Sequence, residues 1–221
     1  MNDLPNLPAS LLPPDPESTQ GRILEAARQC FARSGFEGTT TRAIAEAAGA
    51  NLALVHYHFG SKEALYRRVI AGEMVQVLGT ISAAIQRQDK RPSERLLDLV
   101  ELVHHAFRDD PTRLAIIRQE IGQGAPHGIE VVRSLGQNGP QGFRQLALDV
   151  IEEAQRAGEI APGDPRAILG LLVTGAYGML FVGPMLGMIF ETSWSDEEHW
   201  QEMLDGQRKL LERAICVEPQ R

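Results

Sequence analysis

The sequence predicts an all-α protein: an N-terminal three-helix segment built on a helix-turn-helix, with a larger helical body after it. Three observations carry that reading. No stretch of strand length alternates apolar and polar residues with a period of two. Apolar residues recur instead at three- and four-residue spacing. Helix punctuation also falls where such runs begin and end. Asp110-Pro111 and Asp164-Pro165 each set a capping aspartate before a proline suited to the first helical position, and Gly35, Gly60 and Gly158 follow runs as stops.

In order along the chain, residues 1–17 hold five prolines and predict an extended, mobile arm. A first helix is expected from about Ser18 to Ser34, with Ile23, Ala27 and Phe31 on one face and Gly35 as its cap. Thr40 suits the N-cap of a second helix that turns Ile44, Ala45 and Ala48 inward. A third covers about Leu52 to His58 and is closed by Gly60, after which Ser61 caps a fourth. That fourth helix is expected to run from Lys62 to about Arg87 as a rigid strut, on the apolar stripe Ile70, Met74, Val77, Ile81 and Ile85. A fifth follows Pro92-Ser93, with Leu96, Leu97, Val100, Val103 and Phe107. Another starts at Asp110-Pro111, and Gly122 to Gly128 reads as a break. Asn138-Gly139-Pro140 opens a helix that Gly158 ends; the last helix opens at Ser195-Asp196-Glu197-Glu198, which fits a capping box. The expected domains are residues 1–17, 18–66 and 67–221.

Ala167 to Phe190 is a run of 24 residues without a charge. Its length would span a bilayer, but its flanks carry no cluster of Lys or Arg, and its glycines and Pro184 weaken a lipid-facing helix. The preferred reading is a helix enclosed on all sides in a soluble dimer, and no membrane partner is expected. The two cysteines, Cys30 and Cys216, lie far apart and predict no disulfide framework, which fits a reducing cytosol. No secretory signal is seen at the N-terminus. The net charge is −7, but residues 18–68 carry +3 while residues 1–17 carry −3 and residues 69–221 carry −7. A basic head on an acidic body would orient on phosphate.

Thr41 to Ala48 and Asn51 to Phe59 are two short helical segments joined through Gly49. A turn between helices crossing at about 90–120° needs a residue that tolerates positive φ, and glycine does so without steric cost. This is the geometry of a DNA-reading head. No zinc-protease, paired-cysteine or phosphate-loop pattern is present, and no nucleophile–base–orienter set can be assembled. Among the histidines, His56 and His58 point apart on a helix, as do the adjacent His104 and His105. No catalytic residue, metal site or cofactor is expected.

Residues 22–66, about a fifth of the chain, resemble the N-terminal domain of the TetR family of bacterial transcription regulators. The resemblance is carried by Ile23-Leu24-x-Ala26-Ala27, Phe31, Gly35-Phe36, Thr39-Thr40-Thr41, Ile44-Ala45-x-x-Ala48-Gly49 and Tyr57-His58-Phe59-Gly60-Ser61-Lys62-Glu63-x-Leu65-Tyr66. His56 departs from it, because a tyrosine stands there in many relatives. The third helix would enter the major groove, so its first turn, Asn51, Leu52 and Ala53, is the candidate base-reading set. Asn reads adenine with two hydrogen bonds, whereas Leu and Ala offer apolar contact to a thymine methyl. The resemblance further implies that Arg42 reaches a base or phosphate, and that Thr41, His56, Tyr57 and Lys62 hold phosphates. Each has a plainer alternative. Thr40 caps its helix whatever else it does, His58 and Phe59 read as core, and for Lys62 the alternative is a solvated charge, though the motif favours phosphate.

One head offers little reading surface. A two-fold dimer sets two recognition helices about 34–36 Å apart on a near-palindromic operator. The helices near 165–189 and 196–216 are the expected homodimer interface, as a four-helix bundle. The resemblance also implies a small-molecule effector site in the body. Met74, His104, Phe107, Tyr177 and Phe181 are its candidate lining, with plain core as the alternative for each. The expected function is a repressor released from double-stranded DNA by that effector. The competing readings are a DNA-bound structural or cell-cycle factor without a ligand, and a regulator tethered to a membrane through residues 167–190.

Overall fold

The computed structural model describes residues 13–135, 140–192 and 196–217. Among them lie ten helices: α1 (Thr19–Gly38), α2 (Thr41–Ala47), α3 (Leu52–Phe59), α4 (Lys62–Ile85), α5 (Pro92–Arg108), α6 (Pro111–Gly122), α7 (Pro126–Leu135), α8 (Pro140–Arg156), α9 (Pro165–Phe190) and α10 (Glu197–Ile215). The described residues hold no strand, only an isolated bridge between Ile160 and Cys216. The all-α expectation therefore holds. Residues 1–12 of the expected arm, Asn138-Gly139 and Ser195 lie outside the described residues.

Two compact units are present: one of residues up to 78 with 110–141, the other of residues 79–109 with those from 142 onward. The boundary expected at 66/67 lies further along α4, at 78/79. The reason is the core of the first unit. Ile23, Ala27 and Phe31 of α1, Ile44 of α2 and Val55 of α3 pack in one cluster with Leu65, Val69 and Ile70 of α4, Ile116 of α6 and Val131 of α7. A helix-turn-helix of this size cannot bury enough apolar surface alone, and the helices from later in the chain complete it.

α1 begins at Ser18, whose Oγ accepts from the Gly21 N–H at 3.0 Å. It does not stop at Gly35 as expected. It kinks there, at φ 70°, and resumes to Gly38. Glycine takes that conformation without a Cβ penalty. The kink is held from two sides: Thr39 Oγ1 lies 2.7 Å from the Gly35 carbonyl, and Gln119 Nε2 of α6 donates to the Ala32 carbonyl at 2.9 Å.

The expected break at Gly122–Gly128 contains the start of a helix. Only 123–125 interrupt, with Gly124 and Ala125 at positive φ, before α7 begins at Pro126. Its cap comes from α6. Glu120, 3% exposed, accepts from the backbone N–H groups of His127 and Gly128, both at 2.7 Å. The same carboxylate bonds Tyr66; burial and then Glu120 push that phenol well above its ordinary pKa.

A second buried carboxylate joins α1, α4 and α6. Glu73 is 4% exposed and takes Arg28 Nε on one oxygen and Arg113 Nε, at 2.8 Å, on the other. Arg28 also pairs with Asp110, the N-cap of α6. Burial would lower the Arg28 pKa, but the two carboxylates more than offset it and raise it.

In the second unit α5 packs on α9, and α10 packs on both. Arg95 of α5 is buried, donating to the Ile85 carbonyl at 3.1 Å and to Glu153 of α8 at 2.7 Å. α9 is capped by Asp164 and α10 by Asp196, each side chain accepting a backbone N–H two residues on. α9 buries Leu172, Ala176 and Leu180 against its own chain. Its other face is bare: Met185 is 51% exposed, Met188 76%, Ile189 61% and Phe190 64%. Within one chain the uncharged helix is thus half-covered, not enclosed. By length and composition alone, α4 and the first 19 residues of α9 are apolar enough to cross a membrane.

Candidate nucleic-acid interface

α2 and α3 meet at Gly49, whose φ of 59° makes the turn. Thr40 caps α2 through its side chain to the Ala43 N–H at 3.1 Å, and Asn51 caps α3, Oδ1 accepting from the Ala53 N–H at 2.9 Å. α3 anchors itself with Val55, 2% exposed, and with the edge of Phe59. The rest of the helix faces solvent. Leu52 and Leu54 are each 39% exposed and Tyr57 is 82% exposed; Asn51, Ala53 and His56 are exposed as well. A short helix that spends Val55 and Phe59 on the core and, with its N-cap, presents six side chains is shaped for an external partner.

The structure gathers the eight expected residues on the helix-turn-helix and the start of α4, with individual differences. Arg42 is exposed and Thr41 half-buried, at the N-terminus of α2. Asn51 spends one Oδ1 lone pair on its cap, leaving the amide N–H groups and the second lone pair for a base. The His56 ring nitrogen Nδ1 lies 2.9 Å from the Gly60 carbonyl and must donate to it. The other nitrogen of the neutral ring is then an acceptor, so a phosphate contact there requires the doubly protonated ring. Lys62 is half-buried. Its ammonium donates to the Phe36 carbonyl at 2.9 Å and sits 4.3 Å above the Phe36 ring. One of its three N–H groups thus ties α4 to the end of α1, and the others remain for phosphate. Leu54 was missed by the sequence reading. Its exposure beside Leu52 enlarges the apolar part of the reading surface, and only the burial of Val55 and Phe59 fixes which way the helix is turned.

Of the five candidate effector residues, four share the second unit. His104 and Phe107 lie on α5 and Tyr177 and Phe181 on α9; the Phe107 and Tyr177 rings are 5.6 Å apart and the Tyr177 and Phe181 rings 6.4 Å. Met74 is not with them, because it packs against the core of the first unit. A groove of about 820 Å³ lies in the first unit between α1 and the first half of α4, lined by Leu24, Ala48, Val69 and Val75 over Arg28 and Glu73. None of the five lines it.

A glycine-hinged helix pair with its second helix bare to solvent defines a helix-turn-helix DNA-binding protein. Residues 23–69 match the model of the bacterial regulatory proteins of the tetR family. The HTH-type transcriptional regulatory protein RaaS of Mycobacterium tuberculosis is 34% identical over 165 residues, covering 74% of this chain and 70% of that one. The HTH-type transcriptional regulator RutR of Escherichia coli is 25% identical over 199 residues, 87% of this chain and 88% of that one. The fold is shared with the ketosteroid transcriptional regulator KstR2 of Mycobacterium tuberculosis, at TM-score 0.66 and 20% identity over 91% of this chain and 97% of that one. The chain belongs to the TetR family of bacterial transcription regulators, and it is a DNA-binding regulator of transcription.

Proposed function

We propose that the protein is a homodimeric, cytoplasmic repressor that leaves a palindromic operator when a small molecule occupies its second unit. The observation that carries the DNA half is the exposure pattern of α3. Leu52, Ala53 and Asn51 form the base-reading set, while Thr41, Arg42, His56, Tyr57 and Lys62 fix register on phosphate. The dimer is supported by the bare apolar side chains of α9 and by Leu210 of α10, 68% exposed. Exposed apolar surface of that kind on a regulator marks a protein interface, and an isologous contact satisfies both copies at once. The effector half is supported by the aromatic layer of Phe107, Tyr177 and Phe181. An effector acts only through its differential affinity for the DNA-bound and released forms.

Selection of binding sites from random DNA tests the first half. A palindrome with half-sites one helical turn apart is the expected product, and an asymmetric or absent consensus would overturn it. A metabolite panel scored by loss of binding to the selected operator tests the second. Binding that no metabolite moves would favour a ligand-independent DNA-bound factor. Sedimentation of the expressed chain as a dimer without detergent is expected, against a membrane tether.

A further inference from the structure

His104 is completely buried between α5, α9 and α10, with the Trp200 ring 5.2 Å away at its edge. Neither ring nitrogen makes a hydrogen bond of ordinary geometry, although the Gln207 side chain and Gly175 backbone lie close enough to act on it. Gln207 is in the same condition. Its Nε2 donates to the Gly175 carbonyl at 2.6 Å, and its Oε1 is buried without a partner. Gly175 packs closely here: a Cβ on it would stand in ordinary contact with Gln207 Nε2 at 3.4 Å and Leu211 at 3.5 Å. The contrast with His127, the other interior histidine, is informative. His127 faces the Glu120 carboxylate at 3.4 Å and its ring packs against Phe36 and Tyr66. Buried polar atoms are almost always satisfied, and those that are not ask for an explanation.

We propose that His104 and Gln207 are the polar end of the effector site, and that the effector is an uncharged molecule with an aromatic or apolar body carrying an N–H or O–H donor. The inference rests on the effector reading above and gives it a ligand class. A neutral imidazole offers one donor and one acceptor, and Gln207 adds Oε1 as an acceptor and its second Nε2 N–H as a donor, so the cluster receives a ligand's N–H or O–H at two atoms and can answer its oxygen at two more. Burial lowers the His104 pKa to about 4 and keeps the ring neutral. The nearby cations are already paired, Arg208 of α10 with Asp98 at 3.0 Å and Arg108, 4.9 Å over the Trp200 ring, with Glu197 at 2.8 Å, so an anionic ligand competes with a carboxylate for either. Trp200, and Phe107 one turn along α5, supply apolar walls. The cluster is enclosed, so a ligand enters only as the three helices part. Occupancy and rearrangement are then one event, which is what a release signal requires.

The test uses the full-length chain and four one-ring probes: benzamide, phenol, toluene and benzoate. Binding is measured by calorimetry, and the His104 ring by long-range proton–nitrogen correlation in labelled protein. Benzamide and phenol are expected to bind at least tenfold tighter than toluene and benzoate and to shift the His104 ring nitrogens. Gln207→Met is expected to weaken benzamide at least tenfold and leave toluene unchanged, and it serves should His104→Phe fail to fold. Toluene binding as tightly as benzamide, an unmoved His104 ring, or no binding by any probe would each overturn the proposal. Toluene that binds and displaces operator would do so while leaving the effector reading standing; a metabolite panel without effect would remove that reading itself.

Discussion

The two compact units dispose of awkward groups in opposite ways. In the first, the buried carboxylates each have several partners: Glu73 is held by Arg28 and Arg113, and Glu120 by two backbone N–H groups and Tyr66. In the second, the nitrogens of His104 are poorly satisfied inside, and Met185, Met188, Ile189 and Phe190 lie bare outside. In the first unit the buried carboxylates are held by several partners and α3 is bare, with DNA as its proposed partner. The second is incomplete in two places, which suits a unit whose packing answers to a second subunit and a ligand. A rigid reading head and an adaptable body are what a switch needs, since a signal must change one part without melting the other.

The sharpest way to break this comparison is to charge the bare face. Met188→Glu with Phe190→Lys is expected to leave each chain folded but monomeric by light scattering, and to weaken operator binding by about two orders of magnitude or more as one of two half-sites is lost. A double variant that stays dimeric would place the interface elsewhere. The converse change strikes the first unit. Glu73→Ala leaves two guanidinium groups without their shared carboxylate, and breaking a buried pair in this way costs about 3–5 kcal/mol. Urea denaturation should show that loss. An effect below about 1 kcal/mol would mean the network is solvated and the first unit is less complete than its geometry implies.

Acid separates the units further. His104 has a folded pKa of about 4 against an ordinary 6.5, so its neutral form is favoured by the fold. The stability it contributes is fully present above pH 6.5 and is lost as pH falls toward 4, up to about 3 kcal/mol. Asp110 responds lower. Burial raises its pKa, but Arg28 and Arg113 together hold it below the ordinary carboxylate value, so its contribution survives until pH falls through that depressed value. Near-ultraviolet circular dichroism is therefore expected to report loss of the Trp200 environment, 5.2 Å from His104, at a higher pH than the loss of α1–α6 packing. His104→Phe should remove the earlier step. Coincident transitions in the parent protein would deny the difference between the units.

Much of this was legible in the chain, and the pattern of what was not is physical. Helices announced by their own residues were found: Thr40, Asp110 and Asp164 each cap the helix that follows, and Gly49 turns where a turn was needed. α7 was missed because its cap is Glu120, on the preceding helix; Pro126 stands at its first position, but no capping residue precedes it in the chain. Gly35 was read as a stop because a positive-φ glycine ends most helices; Thr39 and Gln119 carry this one through. The candidate DNA contacts could be chosen from motif spacing, but Leu54 could not, since exposure depends on which side of α3 the core takes. Met74 was placed with the effector residues because an apolar stripe cannot say which unit a long helix is serving at each turn.

The smallest expected effect separates two jobs that one residue holds. Asn51 caps α3 through Oδ1 and is also the polar member of the proposed base-reading set. Asn51→Ala removes both roles. Loss of a cap costs about 1 kcal/mol, so any change in DNA binding would be confounded with a loosened helix. Asn51→Ser keeps the cap, because serine serves there about as well as asparagine, but removes the amide that reads adenine with two bonds. The serine variant is therefore expected to melt within about 0.5 kcal/mol of the parent while losing preference at one base pair per half-site, worth about 1–3 kcal/mol of discrimination. If the serine variant keeps full discrimination while the alanine variant loses affinity evenly at every sequence, Asn51 is a cap alone. The reading then falls to Leu52, Ala53 and Leu54, which sense shape and thymine methyls and nothing polar.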